Sequence, residues 1–436
     1  MMTPLSQTAQ AQGIRYFLIS FTDLFGVQRS KLVPAESIDQ MAVSGAGFAG
    51  FAAWLDMTPA DPDILAIPDA DCLIQLPWQP EVGWLPADLH TITGEPLEQA
   101  PRIVLKRVLQ QAQDLGYRSR TGVECEFFLL NAAGEQVSDL RDRQSKPCYD
   151  QQSLMRRYEI IREICDAMLK LGWGAYQNDH EDGNGQFEMN WMYADALVTA
   201  DRQAFFKYMV KAIAEKHGFQ ATFMPKPFAH LTGNGCHTHL SVWDNAGKEN
   251  LFYDPQGELG LSQLGYHFIA GVLHSAEALC AIVNPTVNSY KRINAPVTLS
   301  GATWSPNTAS YSGNNRTHTI RIPEAGRFEF RLADGAANPY LLPAALIATG
   351  LDGIVQKRDP GARHDNNTYT NPLPSSQVKA LPGNLLDALR CLETNEVISR
   401  SLGEPFTAAY LKLKHQEWNQ SNACVTAWEL ENTLDC

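Results

Sequence analysis

TGVECEFFLL, residues 121–130, is the stretch from which the rest of the chain is read. Val123, Phe127, Phe128, Leu129 and Leu130 are apolar and β-formers dominate, which predicts a buried strand. Glu124 and Glu126 interrupt it. Side chains alternate across a strand, so residues two apart share a face and these carboxylates emerge side by side. On a half-buried face two like charges repel and lose hydration unless something cationic meets them. Taken alone, the pair also suits a solvated sheet edge. The same device, with complementary chemistry, returns further along the chain.

The composition narrows the function classes. A chain of 436 residues with 44% hydrophobic and 19% charged content is globular, and its length suggests two to three domains. The net charge of −13 argues against a nucleic-acid partner, so any anionic ligand must be met by a local cationic cluster. Nine cysteines, an odd number with no C-x-x-C spacing, argue against a disulfide framework and a structural zinc site and suit a reducing compartment. The first residues, MMTPLSQTAQAQG, show no basic-then-apolar signal pattern, and the apolar run at 341–355 is interrupted by Pro343 and Asp352. These features predict a cytoplasmic protein with no membrane partner.

Residues 14–33 read as two strands joined by a turn at 23–26. GAGFAGFAAW, residues 45–54, reads as a packed loop whose small residues permit close backbone approach. Eight prolines between 59 and 101 favour short strands and loops. The texture changes at Pro101, where PRIVLKRVLQQAQDLG has a helix start, an apolar stripe and a closing glycine. This predicts an α+β protein with domains at 1–100 and 101–436. The second would join an antiparallel sheet to helices near 152–171, 202–217, 262–282, 340–356 and through the last 60 residues.

Four later stretches carry chemistry. DHEDGNGQFEMN (179–190) is a Gly-rich acidic turn running into a strand, with Glu181 and Glu188 as ligand candidates, and it does not match an EF-hand. MPKPFAHLTGNGCHTHLSVW (224–243) puts His237, His239 and Ser241 on one strand face after Gly233 and Gly235. NPTVNSYKR (284–292) and NNRTHTIRIP (314–323) supply Arg292, Arg316 and Arg321. RFEFRLADGAANPY (327–340) sets Arg327, Glu329 and Arg331 opposite Phe328 and Phe330. Many carboxylates, little nitrogen and no thiolate suit hard divalent cations, Mg²⁺ or Mn²⁺. Metals among many arginines are what phosphoryl transfer demands, and neither a Walker A motif nor a kinase glycine loop is present.

These blocks, in this order, resemble the glutamine synthetase superfamily over nearly the whole chain. The resemblance implies an N-terminal β-grasp domain, a C-terminal catalytic domain, and rings in which one subunit's N-terminal domain closes its neighbour's site. It implies two or three Mg²⁺ (or Mn²⁺) ions, with Glu126, Glu181 and Glu188 holding one and Glu124, His237 and Glu329 another. By the same resemblance His239, Ser241, Arg321 and Arg327 face ATP, the co-substrate. Gly233, Arg292 and Arg331 hold glutamate, and Arg316 lies near the transferred phosphoryl group. The activity implied is an ATP-dependent ligase acting through γ-glutamyl phosphate.

Two departures bear on the acceptor. Where ammonia-using members carry an Asp, this chain has Ala49, and the span 291–323, which usually supplies a flap Glu, contains no acidic residue. Trp304 falls at or near that flap position, and of the acidic groups expected at the ammonium site only Glu181 remains. Phe48, Ala49, Phe51 and Trp304 would then make a less anionic, more apolar pocket for an organic amine. The GFAG and SGATW-P features look like the type III-like branch that includes γ-glutamylmethylamide and γ-glutamylanilide synthetases. The alternative acceptor is ammonia, with Trp304 merely packing the flap.

Overall fold

Two sheets of different build lie on either side, in sequence, of the helix Pro101–Asp114 in this computed structural model, which describes residues 4–298, 300, 302–374 and 376–436. Gly301 of the SGATW segment and the first three residues of the leading stretch lie outside the described residues. The first sheet contains β1 (Tyr16–Thr22), β2 (Gln28–Pro34), β3 (Ala46–Phe48), β4 (Ile64–Pro68), β5 (Ile74–Gln75) and β6 (Val82–Thr91). Its order is β2-β1-β6-β4-β3, with β5 also on β6. β1 and β6 run parallel and the remaining pairs antiparallel, a grasp-like arrangement. Pro86 sits inside β6 where the strand changes partner: Ser20 of β1 faces Pro86, while Ala87 faces Pro68 of β4. A residue without an N–H is tolerated there because the ladder is being handed over.

The second sheet contains β7 (Tyr117–Leu130), β8 (Ala175–His180), β9 (Gln186–Trp191), β10 (Ala194–Asp195), β11 (Gln220–Thr222), β12 (Cys236–Asp244), β13 (Tyr311–Ser312), β14 (Ile320–Arg321) and β15 (Phe328–Phe330). Its order is β13-β14-β15-β12-β7-β9-β8, with β10 and β11 on β7, and every pair is antiparallel except β13 with β14. With its flanking helices this makes the chain α+β.

The strand predicted over 121–130 extends back to Tyr117. One face carries Val123, Cys125, Phe127 and Leu129 into the large core, where Phe127 meets Phe187, Phe206 and Phe223 at ring-centroid distances of 6.2, 6.3 and 5.8 Å. Burying that face leaves Glu124 and Glu126 no choice but the other one. The helix Ala196–Lys216, six residues longer at its start than the pattern suggested, covers the core face.

Several other elements differ from the sequence reading. The apolar pattern at 262–282 is two helices, Gln263–His274 and Ala276–Val283, meeting at 74°. Ala46–Phe48, read as loop, pairs with β4, and at Gly50 it is the flexible end of the Met57 side chain, 2.3 Å from where a Cβ would stand, that packs against the chain. Short helices at Leu5–Gln12 and Ile38–Ser44 were not expected. Among the described residues no single helix is long and apolar enough to cross a membrane; the bent pair would pass only jointly, and most of it is buried in the core.

The sheets share packing. Leu24, Leu76, Val82 and Trp84 from the first belong to the hydrophobic cluster of the second, and Trp84 meets Phe205 edge-on at 5.4 Å. Arg102, at the start of the intervening helix and 4% exposed, bonds Asp69 at 2.8 Å, Asp88 at 2.7 Å and Asp201 at 3.0 Å.

Candidate active site

Strand register assembles the site. On one face, Asp179 of β8 lies opposite Glu188 of β9, and Glu188 lies opposite Glu126 of β7. Glu124 of β7 lies opposite His237 of β12, and His239 lies opposite Glu329 of β15, which in turn faces Arg321 of β14. Side chains separated by more than 200 positions in sequence thus form adjacent rows. Glu181 joins them from the turn after β8.

Three overlapping groups have ligand atoms all within 4.8 Å of one another: Glu124–His237–Glu329, Glu126–Glu188–His237 and Asp179–Glu181–Glu188. The first brings together Glu124, His237 and Glu329, the three residues expected to share an ion. The expected Glu126–Glu181–Glu188 set is spread over the other two, with Asp179 added. Asp179 was missed in the sequence because only its pairing to Glu188 across the β8–β9 hairpin brings it inward.

The donors fit a hard divalent cation. His237 is 6% exposed, and its Nε2 and Asp179 Oδ1 are buried with no hydrogen-bond partner among the described residues. A Cβ on Gly235 would stand 2.9 Å from Glu126 Oε1 and 3.0 Å from His237 Nε2, so the backbone approaches the cage as only glycine allows. Burial and mutual repulsion also set the charges. Desolvation, then Glu126 and Glu124, pushes the Asp179 carboxyl up to about 6. Burial pushes Glu181 and Glu188 well up, Glu181 also by Glu126 and Asp179, and Glu188 also by Glu124 and Glu181. Glu124 goes the other way: burial opposes its charge, but hydrogen bonds donated by His237 (3.3 Å) and His239 (2.8 Å) hold it well below the usual range. Glu329 is likewise held at about 2, burial being outweighed by Arg331 and then His237. Carboxylates forced together without counter-charge are what oxygen-ligated metal sites look like without their ion.

The scaffold behind these residues is well bonded. Gln186 Nε2 donates to Glu126 Oε2 (3.0 Å), Asn234 Oδ1 (2.9 Å) and the Gly233 carbonyl (3.1 Å), while the Gly235 amide donates to Glu126 at 2.7 Å. Asn190 donates to Glu188 at 2.7 Å. Asp182 accepts from Thr232 at 2.7 Å and Ser300 at 2.6 Å, stapling the loop that contains Gly233 to the flap that contains Trp304.

Around the metal cage lie two further spaces. A cleft of about 360 Å³ is lined by His239, Ser241 and Arg327 together with Glu124, Tyr193 and Trp243. Arg321, expected with them, lines the metal chamber instead, where it donates to Glu329 at 2.7 Å. Arg331 and Arg316 line that chamber too, with Glu181, Trp304 and two residues not anticipated, Cys148 and Tyr149. Arg292 is 2% exposed and donates to the Leu332 carbonyl at 3.0 Å; a Cβ on Gly233 would stand 3.0 Å from its Cγ, so the two expected partners do adjoin. The second space, about 640 Å³, shares Trp304 and Arg316 with the metal chamber and adds Tyr369.

The expected amine-pocket residues do not all meet. Trp304 roofs the metal chamber with φ at 56°, a left-handed conformation unusual for a bulky residue. Phe48 packs on Phe21 at 5.1 Å within the first sheet, Ala49 follows it, and Phe51 is 50% exposed. None of these three lines the chamber within the single chain.

Residues 98–433 match the family model for the glutamine synthetase catalytic domain. The chain is 58% identical over 435 residues, all of both chains, to a protein named glutamine synthetase from Rhizobium meliloti (strain 1021). It is 43% identical over 431 residues, 97% of this chain and 96% of the relative, to the glutamate–methylamine ligase of Methyloversatilis universalis. A solved structure titled as a GmaS/ADP complex, GmaS being γ-glutamylmethylamide synthetase, superposes with a TM-score of 0.96 at 62% identity over the whole of both chains.

Proposed function

The chain belongs to the glutamine synthetase family and is a ligase of it; from that premise we propose that it joins the γ-carboxylate of L-glutamate to an organic amine, an alkylamine or arylamine, at the expense of ATP. The observation that carries this reading is Trp304 over the carboxylate chamber, in a span, 291–323, with no acidic residue. An ammonium ion needs carboxylates around it and a base to free its lone pair. An indole instead offers apolar area and a π-face to an alkyl or aryl substituent. The two GmaS structures at 62% and 60% identity support the same choice.

In the proposed reaction a γ-carboxylate oxygen of glutamate attacks the γ-phosphorus of ATP, and the bond to the β,γ-bridging oxygen breaks to release ADP. The amine nitrogen then attacks the carbonyl carbon (Cδ) of γ-glutamyl phosphate, phosphate leaves from that carbon, and Glu181 takes the proton lost by nitrogen. Bound divalent ions, Mg²⁺ or Mn²⁺, would neutralise the phosphate oxygens. Glu124, Glu126, Glu181, Glu188, His237 and Glu329 would hold them, with Asp179 beside Glu181. His239, Ser241, Arg321 and Arg327 position the nucleotide. Gly233, Arg292 and Arg331 hold glutamate, and Arg316 meets charge on the transferring group. Phe48, Ala49 and Phe51 reach the acceptor site of a second copy in a ring assembly, with residues 1–100 as the domain that crosses over. Nine free thiols suit the reducing cytoplasm.

Ammonia is the second reading. Two relatives at 58% identity bear the name glutamine synthetase, and Asp179 beside Glu181 supplies a carboxylate that Ala49 does not. Glutamate labelled with ¹⁸O in its γ-carboxylate tests the common pathway: label must appear in the released phosphate, in amounts equal to the γ-glutamyl amide formed. Unlabelled phosphate would eliminate the acyl phosphate.

A further inference from the structure

Three residues with hydrogen-bond donors to spare line the chamber behind Trp304, and none of those donors is received among the described residues. The indole Nε1 of Trp304 and the hydroxyl of Tyr369 are each buried and without a hydrogen-bond partner among the described residues. Both line the chamber that also receives the Arg316 side chain. Arg316 enters no side-chain hydrogen bond or ion pair found among the described residues, although its backbone carbonyl accepts from Arg331 at 3.2 Å. Trp and Arg are donors only, and a neutral phenol readily donates. The carboxylate on this wall, Asp365, is already taken by Arg363 at 2.6 Å and Ser312 at 2.9 Å.

The arrangement is built, not incidental. The loop before Tyr369 is pinned to the segment after Arg316: Thr368 donates its amide to Thr317 Oγ1 (3.2 Å) and its hydroxyl to the Thr317 carbonyl (2.9 Å). The Tyr369 amide is capped by Asn367 Oδ1 at 3.0 Å. Trp304 holds its left-handed backbone at φ 56°, a strained conformation that persists where surroundings over-determine it. Burial pushes the Tyr369 phenol up, so it carries its proton, while the Thr303 hydroxyl and the Trp304 amide, donors beside the phenol oxygen, act with Arg331 and Arg292 in the opposite sense and leave the phenol's own O–H without an acceptor among the described residues. Arg331, which lines the carboxylate chamber with Trp304, and Arg292 are the charges that bear on the phenol, and both are almost fully buried.

We propose that Tyr369 and Trp304 are binding residues for an oxyanion of the acid substrate, the phenol O–H and the indole N–H donating to a carboxylate of glutamate that Arg292 and Arg331 hold by charge. An unmade bond in each case leaves a buried donor stranded, and a carboxylate oxygen satisfies both. The indole ring remains free to meet the amine while its N–H edge reads the acid. This rests on the reading of glutamate as substrate given above.

The test uses the full-length enzyme with ATP, Mg²⁺ and methylamine, and compares Tyr369→Phe and Trp304→Phe with the wild type. Each variant is expected to raise KM for L-glutamate about tenfold or more, while KM for ATP and kcat change little. 4-Aminobutyrate, which keeps the γ-carboxyl and lacks the α-carboxylate, tells which carboxylate is read: the variants lose little against it if the α-carboxylate is the partner and as much as against glutamate if the γ-carboxylate is. An unchanged KM for glutamate in both variants overturns the proposal. So does a loss confined to kcat, which would make the transferring phosphoryl group the oxyanion, or one confined to KM for the amine. A wild type with no glutamate-dependent turnover would instead sink the underlying reading, before any variant is compared.

Discussion

Replacing Arg102 with methionine removes the cation on which aspartates from both parts of the chain converge. Asp69 and Asp88 belong to the first sheet and its edge, and Asp201 to the long helix of the second part. The three are not equally exposed: side-chain exposure is 23% for Asp69, 17% for Asp88 and 6% for Asp201. Lys106 remains bonded to Asp88 and stands 4.0 Å from Asp69, so those two keep a counter-ion. Among the described residues Asp201 keeps the Tyr340 hydroxyl at 2.8 Å and the neighbouring Cys72 thiol, neutral groups that satisfy an oxygen but not the charge. Stranding one buried carboxylate costs about 3–5 kcal/mol. Urea unfolding followed by tryptophan fluorescence, with Trp84 buried at the same junction, measures it. The companion Asp201→Asn should lose less, and the double variant should recover part of the loss, because the stranded charge is gone. A loss below ~1 kcal/mol for Arg102→Met, or strictly additive variants, would refute the idea that this ion cluster locks the two sheets together.

Other expectations follow from the same geometry. Glu126→Ala should abolish γ-phosphoryl transfer to glutamate while the protein keeps its native mass in light scattering; unchanged turnover would remove the metal assignment. Trp304→Ala should weaken the preference for an organic amine over ammonium by about 1–3 kcal/mol, roughly 5- to 150-fold in the ratio of kcat/KM values; an unaltered ratio would make the indole mere packing. Asp139 gives a pH prediction. Burial opposes its charge, but hydrogen bonds from Arg156 and then Arg141 hold its carboxyl at about 2, below its unfolded value, so its stabilisation is complete above about pH 4 and lost as pH falls toward 2. Asp139→Asn should therefore flatten the acid limb of the stability profile between those values, and an unchanged limb would contradict it.

What was legible in the sequence was what a single strand writes on itself. Glu124 and Glu126, or His237, His239 and Ser241, show their shared face through a period of two. What a strand gains from its neighbours is written nowhere locally, which is why Asp179 escaped notice: its role depends on the β8–β9 pairing. Tyr369 sits in a polar loop without periodicity, and its meaning comes from the orphaned hydroxyl. The bend at Ser275 was hidden because the apolar pattern runs on through it and both helices are buried. Ala46–Phe48 forms a strand despite Gly47 because β4 offers an open edge, a tertiary effect that overrides local propensity.

The most direct measurement is competition under one condition: glutamate, ATP and Mg²⁺ with ammonium, methylamine, ethylamine, putrescine and aniline, scored by the γ-glutamyl products and by phosphate release. An organic amine with the highest kcat/KM is the expected result. Ammonium ranking first would contradict it and return the chain to glutamine synthesis.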